Sequence, residues 1–257
     1  MKYFKGFVKY LPLLRELVVR DIKTRYRRSV LGLLWTLLNP LLMMMILTIV
    51  FSSLFKSNIQ HFPVYLLAGQ TVFNFFSEST VNAMNSIISS GSLIRKVYIP
   101  KYLFVLSKVL STLVNLVASF IALLIVMVVT GVQFQGAIIW SVFPIIYIFI
   151  LAIGFGLILS SLAVFFRDTV HFYGILLTAW MYLTPMFYPF EILPDNVKPF
   201  VEANPMYGII TCLRSLILEG RAAPLQTHAY CLAVSVAFLF IGLLVFYKKQ
   251  DRFILHI

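Results

Sequence analysis

One carboxylate stands out by its position. Glu78 lies inside a long apolar stretch, and Asn74, Glu78, Asn82, Asn85 and Ser89 recur every three or four residues. A helix there carries them as a single polar stripe. An ionisable group in a segment long enough to cross a bilayer marks a substrate or ion path by default. Asparagines at this spacing also form interhelical hydrogen-bond seams, and for Glu78 and Asn82 both readings stand. A second group is aromatic: Phe51, Phe55, Tyr182, Phe187, Tyr188 and Phe190 fall near the ends of two apolar runs. Ring faces pack against the C–H faces of sugars while a tyrosine hydroxyl bonds to ring oxygens, and an interfacial aromatic belt accounts for the same residues. A third group is ionic. Arg20-Asp21 and Arg167-Asp168 sit at the borders of apolar runs, as snorkelled interface pairs or as contacts for a partner outside the membrane.

Other chemistry is missing. The chain has no G-x-x-x-x-G-K-[ST] phosphate loop, no H-E-x-x-H, no paired-cysteine metal spacing and no G-x-S-x-G turn. Cys212 and Cys231 have no ligand spacing and read as unpaired packing residues. His61, His171, His228 and His256 are scattered, and only nine acidic residues exist. These absences predict a protein that is not an enzyme on its own and holds no cofactor or metal. Energy for any uphill movement enters through a partner.

The elements that must position these residues follow from composition. Of 257 residues 61% are hydrophobic and only 12% charged, the latter roughly half the usual share of about 25%, and the mean hydropathy is +0.94. A bilayer solvates that much apolar surface; a soluble fold of this size does not. Apolar runs near the ~20 residues a span requires predict six transmembrane helices, at about 30–55, 62–88, 102–130, 138–166, 170–188 and 229–246. The net charge of +12 does not indicate nucleic acid, because the basic residues fall in short clusters between these runs. All but Lys56, Lys198, Arg214 and Arg221 of the 21 basic residues fall on one side of a six-span topology, with Arg95, Lys96, Lys101 and Lys108 placed in the loop after span two. The positive-inside rule makes that side, with both termini, cytoplasmic. The first 28 residues lack the compact apolar core of a signal peptide, so the first span acts as an uncleaved targeting element.

Four segments lie outside the spans of this single domain, 1–257. Residues 1–28 place Phe4, Phe7, Val8, Leu11, Leu14, Leu17 and Val18 at three- and four-residue spacing among basic residues, which predicts an amphipathic interface helix. In 89–101 a serine-rich start and Pro100 bracket a short helix that presents Leu93, Ile94, Val97 and Tyr98 on one side, beside Arg95 and Lys96, and asks for a partner. In 189–226 a short piece near 197–203 precedes Asn204-Pro205, an N-cap with proline at the first helical position. An apolar face of Met206, Ile209, Ile210, Leu213, Leu216 and Ile217 then runs to a stop at Gly220. At about 14 residues, or roughly 21 Å, this helix is too short to cross and is predicted to re-enter from outside. The tail, 247–257, carries no assigned role.

Several of these motifs resemble the type-2 ABC exporter permeases of polysaccharide export, which serve O-antigen and teichoic acid. The resemblance rests on Arg20-Asp21-Ile-Lys-Thr-Arg25-Tyr26 continuing to Gly32-Leu-Leu-Trp35 and Asn39-Pro40, on Phe165-Phe166-Arg167-Asp168, on Thr184-Pro185-Met-Phe187-Tyr188-Pro189, and on Asn204-Pro205-Met206. It implies a homodimer in the cytoplasmic membrane with two copies of a cytoplasmic ATPase, which binds the ATP and magnesium. It implies that 89–101 is the coupling helix, and that a lipid-linked polysaccharide passes between the two permease copies amid membrane lipid. A drug or small-lipid exporter of the same superfamily is the nearest alternative. A stand-alone channel or assembly protein is the alternative from another class.

Overall fold

The computed structural model of the chain describes residues 2–27, 31–32, 34–54 and 59–256. It is 84% helical, with no strand among the described residues, which agrees with the expected all-α architecture. The α-helices are α1 (Lys2–Tyr26), α2 (Leu34–Leu54), α3 (Phe62–Ser89), α4 (Gly91–Lys96), α5 (Tyr102–Thr130), α6 (Val142–Phe165), α7 (Thr169–Leu183), α8 (Lys198–Glu202), α9 (Pro205–Arg214) and α10 (Leu225–Lys249). A 3-10 turn, Gly136–Ser141, leads into α6, a π-helical turn, Ser215–Glu219, extends α9, and a 3-10 turn, Gln250–Leu255, follows α10.

Four stretches are long and apolar enough to cross a membrane: Leu34–Phe51, Tyr102–Thr130, Gly136–Phe165 and Leu225–Leu255. Two expected spans, α3 and α7, do not meet that measure, for different reasons. The 28 residues of α3 are long enough but carry Gln70, Asn74, Glu78, Asn82 and Asn85. This helix is central and packs on α2, α5, α6, α7 and α9, so neighbouring helices rather than lipid surround its polar groups. The apolar α7 has 15 residues, about 22 Å of rise. It ends at Leu183 instead of running to Tyr188 because Pro185 disfavours helical geometry at Thr184, which is extended.

The core gathers around α3, α5, α6 and α9. The backbones of α6 and α10 approach each other closely. A Cβ on Gly242 would lie 2.5 Å from the Gly154 carbonyl oxygen, and one on Gly154 would lie 2.6 Å from the Leu239 nitrogen. Small residues thus let two backbones touch. At the α9 end of the bundle the predicted helix start is present: Asn204 accepts from the Met206 amide at 3.0 Å, and Gly220 ends the helix at φ 63°, the left-handed region that glycine enters without strain. The predicted apolar face is also present, but protein covers it. Met206, Ile209, Ile210, Leu213, Leu216 and Ile217 are buried, and α9 packs on α3, α6 and α10.

Along α1 the apolar residues divide. Leu14 and Leu17 are buried, with Tyr10, Leu13 and Val18 against the same core, and α1 packs on α5. Val8 and Leu11 face outward. The side chains of Phe4 and Phe7 lie outside the described residues. Lys108 is not in a loop: it lies inside α5 and pairs with Asp21 at 3.0 Å, pinning α1 to that helix. The tail has a structural place as well. Phe253 is fully buried against Phe246 and Phe165, and Lys101 donates to the Gln250 carbonyl at 2.6 Å, so the tail docks beside α4.

Candidate functional site

A polar cavity of ≈ 520 Å³ is bounded by the end of α1 and by α2, α3 and α5, with Arg25, Trp35, Asn39, Asn74, Glu78 and Asn115 among its lining. Each residue arrives by helical register. Asn74 and Glu78 are one turn apart on α3, and Trp35 and Asn39 are one turn apart on α2. Asn115 approaches from α5 and donates to both Glu78 oxygens, at 2.8 and 2.7 Å, while Arg25 pairs with Glu78 Oε1. The carboxylate is thereby held by two hydrogen-bonded partners from two other helices. Asn39 and Asn74 have exposed side chains and no hydrogen bond among the described residues. Two open amides, a held carboxylate and an exposed indole form a hydrophilic surface between two apolar stretches long enough to span.

The rest of the polar stripe behaves differently. Asn85 donates to Val81 O at 3.0 Å and Ser89 to Ser86 O at 3.2 Å, both within α3. Asn82 does not line the cavity, and its amide nitrogen is buried without a partner among the described residues. The stripe is therefore a cavity lining at Asn74 and Glu78, and a locally satisfied helix face at Asn85 and Ser89.

At the α9 end, most of the predicted aromatic group converges. Phe51 of α2 stacks on Phe187, with centroids 5.6 Å apart and planes 13° from parallel. Tyr182 lies 6.3 Å from Phe187, and the Tyr188 hydroxyl donates to Tyr182 O at 2.7 Å. Phe187 is buried and Tyr182 is 60% exposed, so only part of the group faces outward. Phe55 lies outside the described residues. Phe190 stacks instead on Tyr207 of α9.

Sequence reasoning missed Arg214, which counted only as a charge on the far side. It is buried and donates to the Tyr65, Pro185 and Met186 carbonyls at 3.1, 2.8 and 3.0 Å, and it lies 3.4 Å over the Tyr65 ring. The guanidinium fork ties α3, the strand-like exit of α7 and α9 into one unit. Its only signal in the sequence is a cation at the end of an apolar helix face. Nearby, Trp180 donates to Asn204, and Asn204 to Thr184, both at 2.9 Å. At the start of α8, Lys198 donates to Asp195 in the preceding turn at 2.7 Å and holds that exposed carboxyl below its ordinary range.

At the opposite end, α4 forms within the predicted segment, but its apolar residues do not share a side. Ile94 is buried and Leu93 half-buried against the bundle, whereas Val97 is 50% and Tyr98 93% exposed. Arg95 and Lys96 are exposed. Arg20 donates to Asp21 Oδ1 at 3.1 Å, and Lys108 pairs with the other carboxylate oxygen. Arg167 and Asp168 are exposed at the α6–α7 junction, with no ion pair between them among the described residues. Cys212 and Cys231 are both buried and free.

Comparison with known proteins fits this geometry. The family model of ABC-2 type transporters matches residues 12–218. The O-antigen export system permease protein RfbA of Myxococcus xanthus is 32% identical over 98% of both chains. Its Klebsiella pneumoniae namesake is 28% identical over 98% of this chain and 97% of its own. The polysialic acid transport protein KpsM of Escherichia coli is 23% identical over 96% of each. A family match over residues 12–218 settles the class: the chain belongs to the ABC-2 type transporter family, as a membrane permease component whose ATPase is a separate subunit.

Proposed function

We propose that the chain moves a lipid-linked polysaccharide, such as an O-antigen or teichoic acid, across the cytoplasmic membrane as a homodimer driven by two cytoplasmic ATPase subunits. The observation that carries this reading is the amide- and carboxylate-lined cavity between α2, α3 and α5. Asn39, Asn74, Glu78 and Asn115 suit a hydroxyl-rich ligand, and the Trp35 ring suits a sugar face. The names of the similar permeases point to the same substrate class.

In this reading six helices cross, namely α2, α3, α5, α6, α7 and α10. The α1 helix lies in the inner interface, α8 and α9 re-enter from outside, and both termini are cytoplasmic. The α4 segment with Arg95, Lys96, Val97 and Tyr98 meets the ATPase, flanked by Arg20, Asp21, Arg167 and Asp168, while Leu93 and Ile94 seat it on the bundle. Phe51, Tyr182, Phe187 and Tyr188 surround the outer mouth, and Glu78 lies along the path.

The test is co-reconstitution with the ATPase into liposomes. ATP should bring a labelled lipid-linked polysaccharide to the face opposite the ATPase, accessible there to an added glycosidase. Movement of amphiphilic dyes without the polymer would overturn the substrate class. Topology is tested separately. Cysteines at Phe200 and Arg221 should both react with an impermeant reagent from outside, and one at Leu255 only from inside. Labelling of Phe200 and Arg221 from opposite sides would overturn the re-entrant reading.

A further inference from the structure

At the α4 end of the bundle a second cavity, ≈ 240 Å³, is lined by Phe165, Phe166, Lys248, Lys249 and Arg252. It shares no lining residue with the polar cavity of α2, α3 and α5. No carboxylate lines it, and none of the three cations makes an ion pair or hydrogen bond among the described residues. Lys249 lies 5.2 Å over the Phe165 ring, which orients its ammonium without neutralising it. Topogenic charge explains why basic residues lie on this side of a membrane, but it does not require Arg252, beyond the end of α10, to converge with Lys248 and Lys249 on one cavity.

The surroundings identify an occupant. Ile241 and Leu244, 46% and 45% exposed, precede Lys248 by seven and four residues and form an apolar track on α10 that leads to it. Phe166, 64% exposed, forms part of the cavity wall. Three uncompensated cations at the foot of an apolar track match a phosphodiester headgroup with its acyl chains against the helix. A soluble protein surface would not match the track. The volume falls below the roughly 300–1,000 Å³ of sites that enclose a whole small ligand, as expected when only the headgroup enters.

We propose that Lys248, Lys249 and Arg252, over a floor of Phe165 and Phe166, hold the headgroup of an anionic phospholipid in the leaflet at this end of the bundle. The assignment of that leaflet as cytoplasmic rests on the topology proposed above; the site itself does not.

The experiment is native mass spectrometry of the full chain in detergent, with equimolar phosphatidylglycerol and phosphatidylcholine. The wild type should retain phosphatidylglycerol about tenfold over phosphatidylcholine, and inorganic pyrophosphate at millimolar concentration should not displace it. K248Q/K249Q/R252Q should lose that preference, K249R should keep it, and K9Q/R15Q, basic changes elsewhere, should leave it unchanged. Equal retention of the two lipids by the wild type, or an equal loss in K9Q/R15Q, would overturn the proposal. Displacement by pyrophosphate would show a free-phosphate site instead. Protection of a K248C thiol by the ATPase in lipid-free detergent would assign the patch to protein docking and equally overturn it. If the triple variant is poorly folded, the single variants Lys248→Gln and Arg252→Gln carry the same readout. None of these outcomes depends on which substrate is exported.

Discussion

Two residue clusters rest on the same physics with different consequences. Glu78 is 37% and Arg25 30% exposed within their side chains, so the cavity admits solvent and their Coulomb attraction is screened. The pair therefore adds little to stability, and its proposed role is positional: it holds the end of α1 against α3. The expected result is loss of export in Arg25→Glu and in Glu78→Arg at normal membrane abundance, with substantial recovery in the charge-swapped double variant. Failure of the swap to recover any export would show that each residue acts independently. Arg214 is the opposite case, since it is buried and three carbonyls depend on it. Arg214→Met leaves those acceptors without their donor, and each unmet group costs about 1–3 kcal/mol. A loss of at least about 3 kcal/mol in total is expected, read as a large drop in melting temperature in detergent. Arg214→Lys should fall between, because one ammonium cannot span the three acceptors that a planar fork reaches.

At the scale of elements, the glycine contact between α6 and α10 allows a clean test. Alanine at Gly242 places a methyl against the Gly154 backbone, which cannot yield as a side chain would. Gly242→Ala should cost about 1–3 kcal/mol in a melting assay, and alanine at Gly174, whose Cβ meets nothing within 4 Å, should cost far less. The division between α4 and the residues that follow it makes a second test. Tyr98→Asp should abolish co-purification of the ATPase while the permease still elutes as a folded species, whereas Ile94→Asp should reduce the folded yield itself. Undiminished ATPase capture by Tyr98→Asp would remove the end of the 89–101 segment from the coupling interface. These elements were unequally legible in the sequence. Long apolar runs announce their helices because lipid demands them, and Asn204-Pro205 and Gly220 announce α9 through capping chemistry that is local. What covers each face is not local. The apolar face of α9 reads alike whether lipid or α3 lies over it, and the docking of Phe253 depends on Phe165 and Phe246, in other helices. Glu78 was conspicuous as an acid within an apolar run, yet its partners Arg25 and Asn115 are 53 and 37 residues away, and no spacing rule joins them.

For the whole molecule, the question is which surface a second copy and the substrate share. Two helices make limited contact with the bundle. On α2, Ile46, Ile49 and Val50 are 55%, 74% and 47% exposed, and on α7, Phe172, Ile175 and Leu183 are 68%, 71% and 60% exposed. Lipid alone can cover such faces, so exposure does not assign them to a dimer. The aromatic group between the ends of these helices separates the readings, because its members differ in burial. Phe187 is 6% exposed and stacked on Phe51, whereas Tyr182 is 60% exposed. If the mouth of a sugar path lies between two copies, Tyr182 touches the polymer and Phe187 only supports the wall. Tyr182→Ala should then reduce polymer export severalfold, with normal abundance and unchanged basal ATPase activity of the complex. Phe187→Ala should act through stability, costing about 3–5 kcal/mol as a large-to-small core change, and should lower abundance before it lowers export per molecule. If the ring of Tyr182 belongs instead to a lipid-facing belt, its removal shifts helix anchoring. Export per molecule then stays at the wild-type level in Tyr182→Ala, and the polymer path must be sought at the Glu78 cavity alone.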